Sequence, residues 1–230
     1  MLSSKQKAVY DILLTQIVSD KALDSITIKD GRIVSPQKYI GGEDADMSDI
    51  AVEFYKIIYG FNEILTVEGR FVDSNFAGDT MHSFNSVANI TDGAGSKKAE
   101  RTDISCWPKY LQDYYNFYHC LANFWVIPMS LGRTGTKLNR YDDPYLFINN
   151  INADILGDYS SHFYDFTNQH YLSSIVNTTE KNMYEKKLSE EIVHIFTENI
   201  KKRALEIAQS NACEGLYDLF VNYGLIRETF

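Results

Sequence analysis

The residue types best suited to chemistry in this chain are histidines and asparagines at helical spacing. In "GDTMHSFNSVANI", residues 78 to 90, the side chains of His82, Asn85, Ser86 and Asn89 fall on one face of a 3.6-residue period. In "KYLQDYYNFYHCLANFW" the residues Gln112, Asn116, His119 and Asn123 do the same, at spacings of four, three and four. Neither stripe carries Lys, Glu or Arg. In a chain with 23% charged residues, an uncharged hydrogen-bonding stripe belongs either to a ligand site or to a buried polar network. If the stripes face each other, His82 and His119 converge, and two imidazoles among amides suit general acid-base work or ligation of a divalent metal. Asp79 stands where it caps the first helix or serves as base or ligand. The structural alternative is that these groups satisfy buried backbone and Tyr hydroxyls, an arrangement tolerated only when every member is bonded.

Charge adds a second feature. Between Asp92 and Arg140 seven basic residues stand against four acidic ones, a local +3 in a chain of net charge −9. The basic groups lie mainly in two Gly-containing loops, "TDGAGSKKAERTD" and "LGRTGTKLNRYDD", which flank the aromatic segment. Arg133, Lys137 and Asn139 in the second loop could hold a phosphate, since Arg forks and loop N–H groups suit that geometry. A solvated basic loop is the plain alternative. The G-x-x-x-x-G-K-[ST] spacing of a phosphate-binding P-loop is absent, as are H-x-H, H-E-x-x-H and G-x-S-x-G. The overall acidity argues against coating nucleic acid or anionic membrane by general electrostatics.

The elements that must position these groups follow from periodicity and punctuation. Ser3 or Ser4 caps an amphipathic helix over 4–19, and "SITIKDGRIV" is a β-hairpin turning at Asp30-Gly31. Ser48 caps "DIAVEFYKIIYGF", and "EILTVEGRFVDS" reads as extended. Asp79 opens the stripe helix; Pro108 opens the aromatic helix, which runs to Pro128. From Pro144 onward the pattern is helical, with a long segment over 178–209 whose alternating charges read as a solvated face. The expected fold is mainly α (α+β), one helical domain over 1–230 with a small N-terminal β-hairpin region and a functional centre at 73–140. No run approaches the roughly 18 apolar residues of a membrane span. The first twenty residues interleave polar groups too regularly for a signal-peptide core. Cys106, Cys120 and Cys213 form no C-x-x-C pair. A cytoplasmic protein with buried thiols and no membrane partner is expected.

Two resemblances arise from the middle of the chain. "FAGDTMHSFNSVAN" followed by "HCLANFWVIPMSLGR" resembles the paired signature of an uncharacterised family of bacterial proteins, which implies no activity. "HCLANFWVIPMSLGRTGTKLN" is similar to the N-L-x-L-L-P-x-x-L-N stretch of HNH-type nucleases of bacterial defence systems, with Asn123, Pro128 and Asn139 matching. That likeness implies His82 as the activator of water, a divalent metal on the phosphate, and Arg133 or Lys137 on the nucleic-acid backbone. The family's D-H-I-x-P segment is replaced here by "DTMHSF".

The residues thus point first to a phosphate-bearing ligand, a nucleotide or nucleic acid. In that reading Asn85, Asn89, Asn123, Arg133, Lys137 and Asn139 bind it, and His82, His119 and Asp79 carry any hydrolysis. The alternative is a non-enzymatic interaction protein, of mobile-element or phage-defence origin, whose stripes are internal and whose acidic surface meets a protein partner.

Overall fold

The computed structural model describes residues 1–37, 45–60, 76–83, 105, 107–128, 166–176 and 189–227. The protein is mainly α, with a few short strands in two small sheets.

Helix α1, Ser4–Leu13, begins with a capping box: the Ser3 hydroxyl accepts from the Gln6 N–H, and the Gln6 side chain accepts from the Ser3 N–H. The helix ends six residues earlier than its periodicity predicts. Ile17–Ser19 forms β1 instead, because Ile17 N–H donates to His119 O at 2.7 Å and the strand pairs in parallel with β3. β2 (Thr27–Lys29) and β3 (Arg32–Ser35) are the expected hairpin. Asp30 and Gly31 take φ of 51° and 73°, the left-handed pair that a two-residue turn of matching twist requires.

A 3-10 turn at Ala45–Met47 leads into α2, Asp49–Tyr59, whose stop at Gly60 uses a φ of 68°. Six of the eleven α2 residues are buried, so this helix is core rather than a surface element.

The stripe helix expected over 78–90 does not form at its start, and its residues 84–90 lie outside the described residues. Phe76–Thr80 is a strand, β4, antiparallel to β5 (Phe124–Pro128), with Asp79 opposite Trp125. The β-branched and aromatic run "FWVIP" supplies a better partner than local helical propensity does. Asp79 is therefore a ladder residue and not an N-cap. The aromatic helix, α3, likewise covers only Lys109–Tyr115. At its end the Asn116 amide donates back to Gln112 O, a local bond that competes with helix continuation. A 3-10 turn, Leu121–Asn123, then delivers the chain into β5. The second stripe is thus divided between a helix, a turn and a 3-10 segment.

Short helices α4 (Phe166–Gln169) and α5 (Ser173–Val176) precede α6, Glu190–Gln209, and α7, Ala212–Asn222. Buried residues of the described elements, from Val9 to Leu225, form one hydrophobic cluster. The alternating charges of α6 do face solvent, with one exception: Arg203 is fully buried. The extended reading of "EILTVEGRFVDS" and the helical start at Pro144 lie outside the described residues. No helix among them is long and apolar enough to cross a membrane.

Candidate functional site

The β4–β5 ladder brings two of the expected residues together. Beyond Thr80, the Met81 N–H donates to Asn123 O at 2.8 Å, and the chain turns at His82 with φ 37°. The His82 ring lies against Phe196 of α6, with centroids 4.7 Å apart and planes at 26°. Its Nε2 is 3.5 Å from Asn199 Nδ2, the outer limit of a hydrogen bond. The Tyr114 hydroxyl of α3 donates to the His82 carbonyl. His82 is 0% exposed, and burial pushes its pKa down to about 3.

Asn123, also 0% exposed, donates through Nδ2 to Tyr118 O at 2.8 Å. Among the described residues its Oδ1 is buried without a hydrogen-bond partner, so the polar network is not fully satisfied at this acceptor.

His119 goes elsewhere. Its ring stacks obliquely on Tyr118 at 4.0 Å and stands edge-on to Phe124 at 6.0 Å, and its carbonyl holds β1. Burial lowers its pKa to about 4. The Asp79 carboxylate accepts from the N–H of its neighbour Thr80 at 2.8 Å. Asn85, Asn89, Arg133, Lys137 and Asn139 lie outside the described residues. Among the described residues no three His, Cys, Asp or Glu side chains come together to hold a metal.

A buried polar hub beside these residues was missed by sequence reasoning. Arg203 of α6 donates from Nη1 to Ala122 O (2.8 Å) and Phe124 O (2.7 Å), and from Nε to His170 O (2.8 Å). Its Nη2 reaches the Tyr59 hydroxyl at 3.4 Å, and that hydroxyl is 2.8 Å from His170 Nδ1. Burial, reinforced by the Arg203 charge, holds the His170 pKa well below its ordinary value. Burial likewise raises the Tyr59 phenol to about 12. The signal was available: Phe196, Ile200, Arg203 and Ile207 follow the i, i+4, i+7, i+11 rhythm of the inward face of α6. No comparable pattern marks His170.

The open feature adjoins Tyr114, whose hydroxyl holds the His82 carbonyl. Between α3 and α6 runs a groove of ≈ 600 Å³, floored by Tyr110, Tyr114, Phe117 and Val193. Its rim carries Asp113, Glu190 and Glu191.

Compared with protein-family models, curated proteins and solved structures, the chain matches none. What the arrangement does chemically follows from its own atoms. Imidazoles held at pKa values of about 3 and 4 are neutral at neutral pH and poorly matched to general-base work. Their hydrogen bonds and ring contacts tie α3, α6, β1 and the β4–β5 ladder to one another. The groove instead offers aromatic surface and negative charge to solvent.

Proposed function

We propose that the protein works by binding a protein partner through an acidic surface, with the His/Asn centre serving as an internal polar network. The observation that carries this reading is the contrast in exposure. His82 and Asn123 are each 0% exposed, whereas Glu190 and Glu191 stand exposed beside an open groove. A net charge of −9 favours a partner of opposite sign through long-range steering. A cytoplasmic setting suits the buried free thiols Cys120 and Cys213.

The second reading keeps the phosphate-bearing ligand, with HNH-like, metal-assisted hydrolysis as its enzymatic form. It is favoured by the basic cluster of Lys97, Lys98, Arg101, Arg133, Lys137 and Arg140 in the sequence.

Thermal unfolding of the full chain against nucleotides, short nucleic acids and divalent metals separates the two, because a ligand of the native state raises Tm by mass action. The partner reading expects no shift across the panel. A rise with a phosphate ligand that Arg133→Ala and Lys137→Ala abolish overturns it in favour of the second.

A further inference from the structure

We infer that the groove between α3 and α6 is a docking site for a basic amphipathic helix of about three turns; this rests on the partner-binding reading above. The floor is apolar and aromatic, built from the half-buried rings of Tyr110 and Phe117 with Tyr114 and Val193 beneath them. It is fixed from below, since the Tyr114 hydroxyl is bonded to the His82 carbonyl and the His82 ring packs on Phe196. A floor held in this way loses little freedom when it is covered, which favours association.

Charge selects the occupant. Glu190 and Glu191 are exposed at the first turn of α6, and among the described residues neither is engaged in an ion pair. The other charges at the groove are already matched: Asp113 to Lys109, and Lys201 to Glu198. The unmatched charge is thus negative and sits at one end, in a molecule that is acidic overall. Lys or Arg on the incoming segment would answer it.

Geometry selects the form. Along α6 the lining runs from Glu190 to Lys201, about 17 Å of axis at 1.5 Å per residue. Three turns of a third helix span that length and place apolar residues at i, i+3, i+4 and i+7 over the floor. An extended peptide would need a free strand edge to pair with, and the groove walls are helices.

The test is fluorescence anisotropy of the full chain with a labelled helical peptide of about eleven residues, with Leu on the i, i+3, i+4, i+7 face and Lys on the rest. Saturable binding is expected, weakening as salt rises and falling at least roughly tenfold for Glu190→Lys/Glu191→Lys. The milder Glu190→Gln/Glu191→Gln should fall between, which guards against a reversal variant that folds poorly. A matched reversal on other elements, Asp24→Lys/Asp218→Lys, should have much less effect.

Equal losses from the two reversals would reduce the effect to general electrostatics and overturn the groove. Equal binding of a peptide with Gln in place of Lys would make it an apolar ligand pocket. Concentration-dependent self-association of the protein, abolished by Glu190→Lys/Glu191→Lys, would give the groove to a second copy. No binding of the basic peptide overturns this inference alone, whereas a phosphate-dependent Tm shift overturns the reading on which it rests.

Discussion

Arg203 shows how much a single side chain can hold. Its guanidinium serves three carbonyls on two separate segments, and nothing smaller spans them. Arg203→Ala removes a charged donor from three buried carbonyls, a loss on the order of 3 kcal/mol. At about 2–4 °C per kcal/mol for a chain of this size, Tm should drop by roughly 6–12 °C. Arg203→Lys, which keeps the charge but not the fork, should fall between. An unchanged Tm in the Ala variant would deny the hub its role. His82 and His119 make a different residue-scale claim. Burial holds both neutral in the folded chain, at about 3 and about 4, while the unfolded chain protonates near 6.5. Above pH ~6.5 both states carry neutral rings and the contribution is fully present; as pH falls the unfolded state gains protons and stability declines until the folded values are reached. Urea midpoints should therefore fall between about pH 7.5 and about pH 5, by roughly 1 kcal/mol per pH unit for each ring, and His82→Gln should flatten the slope. A midpoint that does not move with pH would mean these rings titrate normally. At this scale the sequence disclosed His82 and Asn123 as unusual polar residues but not their burial, because burial depends on Phe196 and α6, more than seventy residues away.

Elements were legible where local chemistry dominates. The cap at Ser3 and the Asp30-Gly31 turn are each set by a few adjacent residues, and the chain follows them. Ser3→Ala should lower stability by about 1 kcal/mol, seen as loss of helical signal at α1 and a small Tm decrease. Legibility failed where a distant strand outbid local propensity: β1 truncates the expected first helix, and β5 converts the start of the stripe helix into a ladder. Gly78 marks that conversion. A Cβ on this residue would meet Asp46 O at 2.6 Å, Met47 Sδ at 2.9 Å and the Tyr55 hydroxyl at 2.9 Å. Since Tyr55 is itself bonded to Asp46 O, little can give, and Gly78→Ala should cost roughly 1–3 kcal/mol. Thermal melts of that variant matching the parent would show that β4 can slide away from the 3-10 turn.

For the molecule as a whole, the mainly helical class was readable from periodicity, while the way the helices close on one another was not. α7 packs against both α1 and α2, burying Leu216 and Phe220, and the exposed Lys5–Glu214 pair (2.7 Å) crosses the α1–α7 seam. Such a solvent-screened pair adds little, so the apolar contacts hold the seam. Phe220→Ala should destabilise by about 3–5 kcal/mol, and Lys5→Ala should scarcely register in the same denaturant titration. The reverse ranking would make the seam electrostatic. That seam also has a consequence in time. The inward face of α1, Val9 and Leu13, is covered by α6 and α7, about two hundred residues further along the chain. A ribosome adding roughly 5–20 residues per second leaves that face uncovered for tens of seconds before its partners are made. Through that interval Val9 and Leu13 lack the α6 and α7 surfaces that cover them in the folded chain, so the α1 face closes only when those two helices emerge.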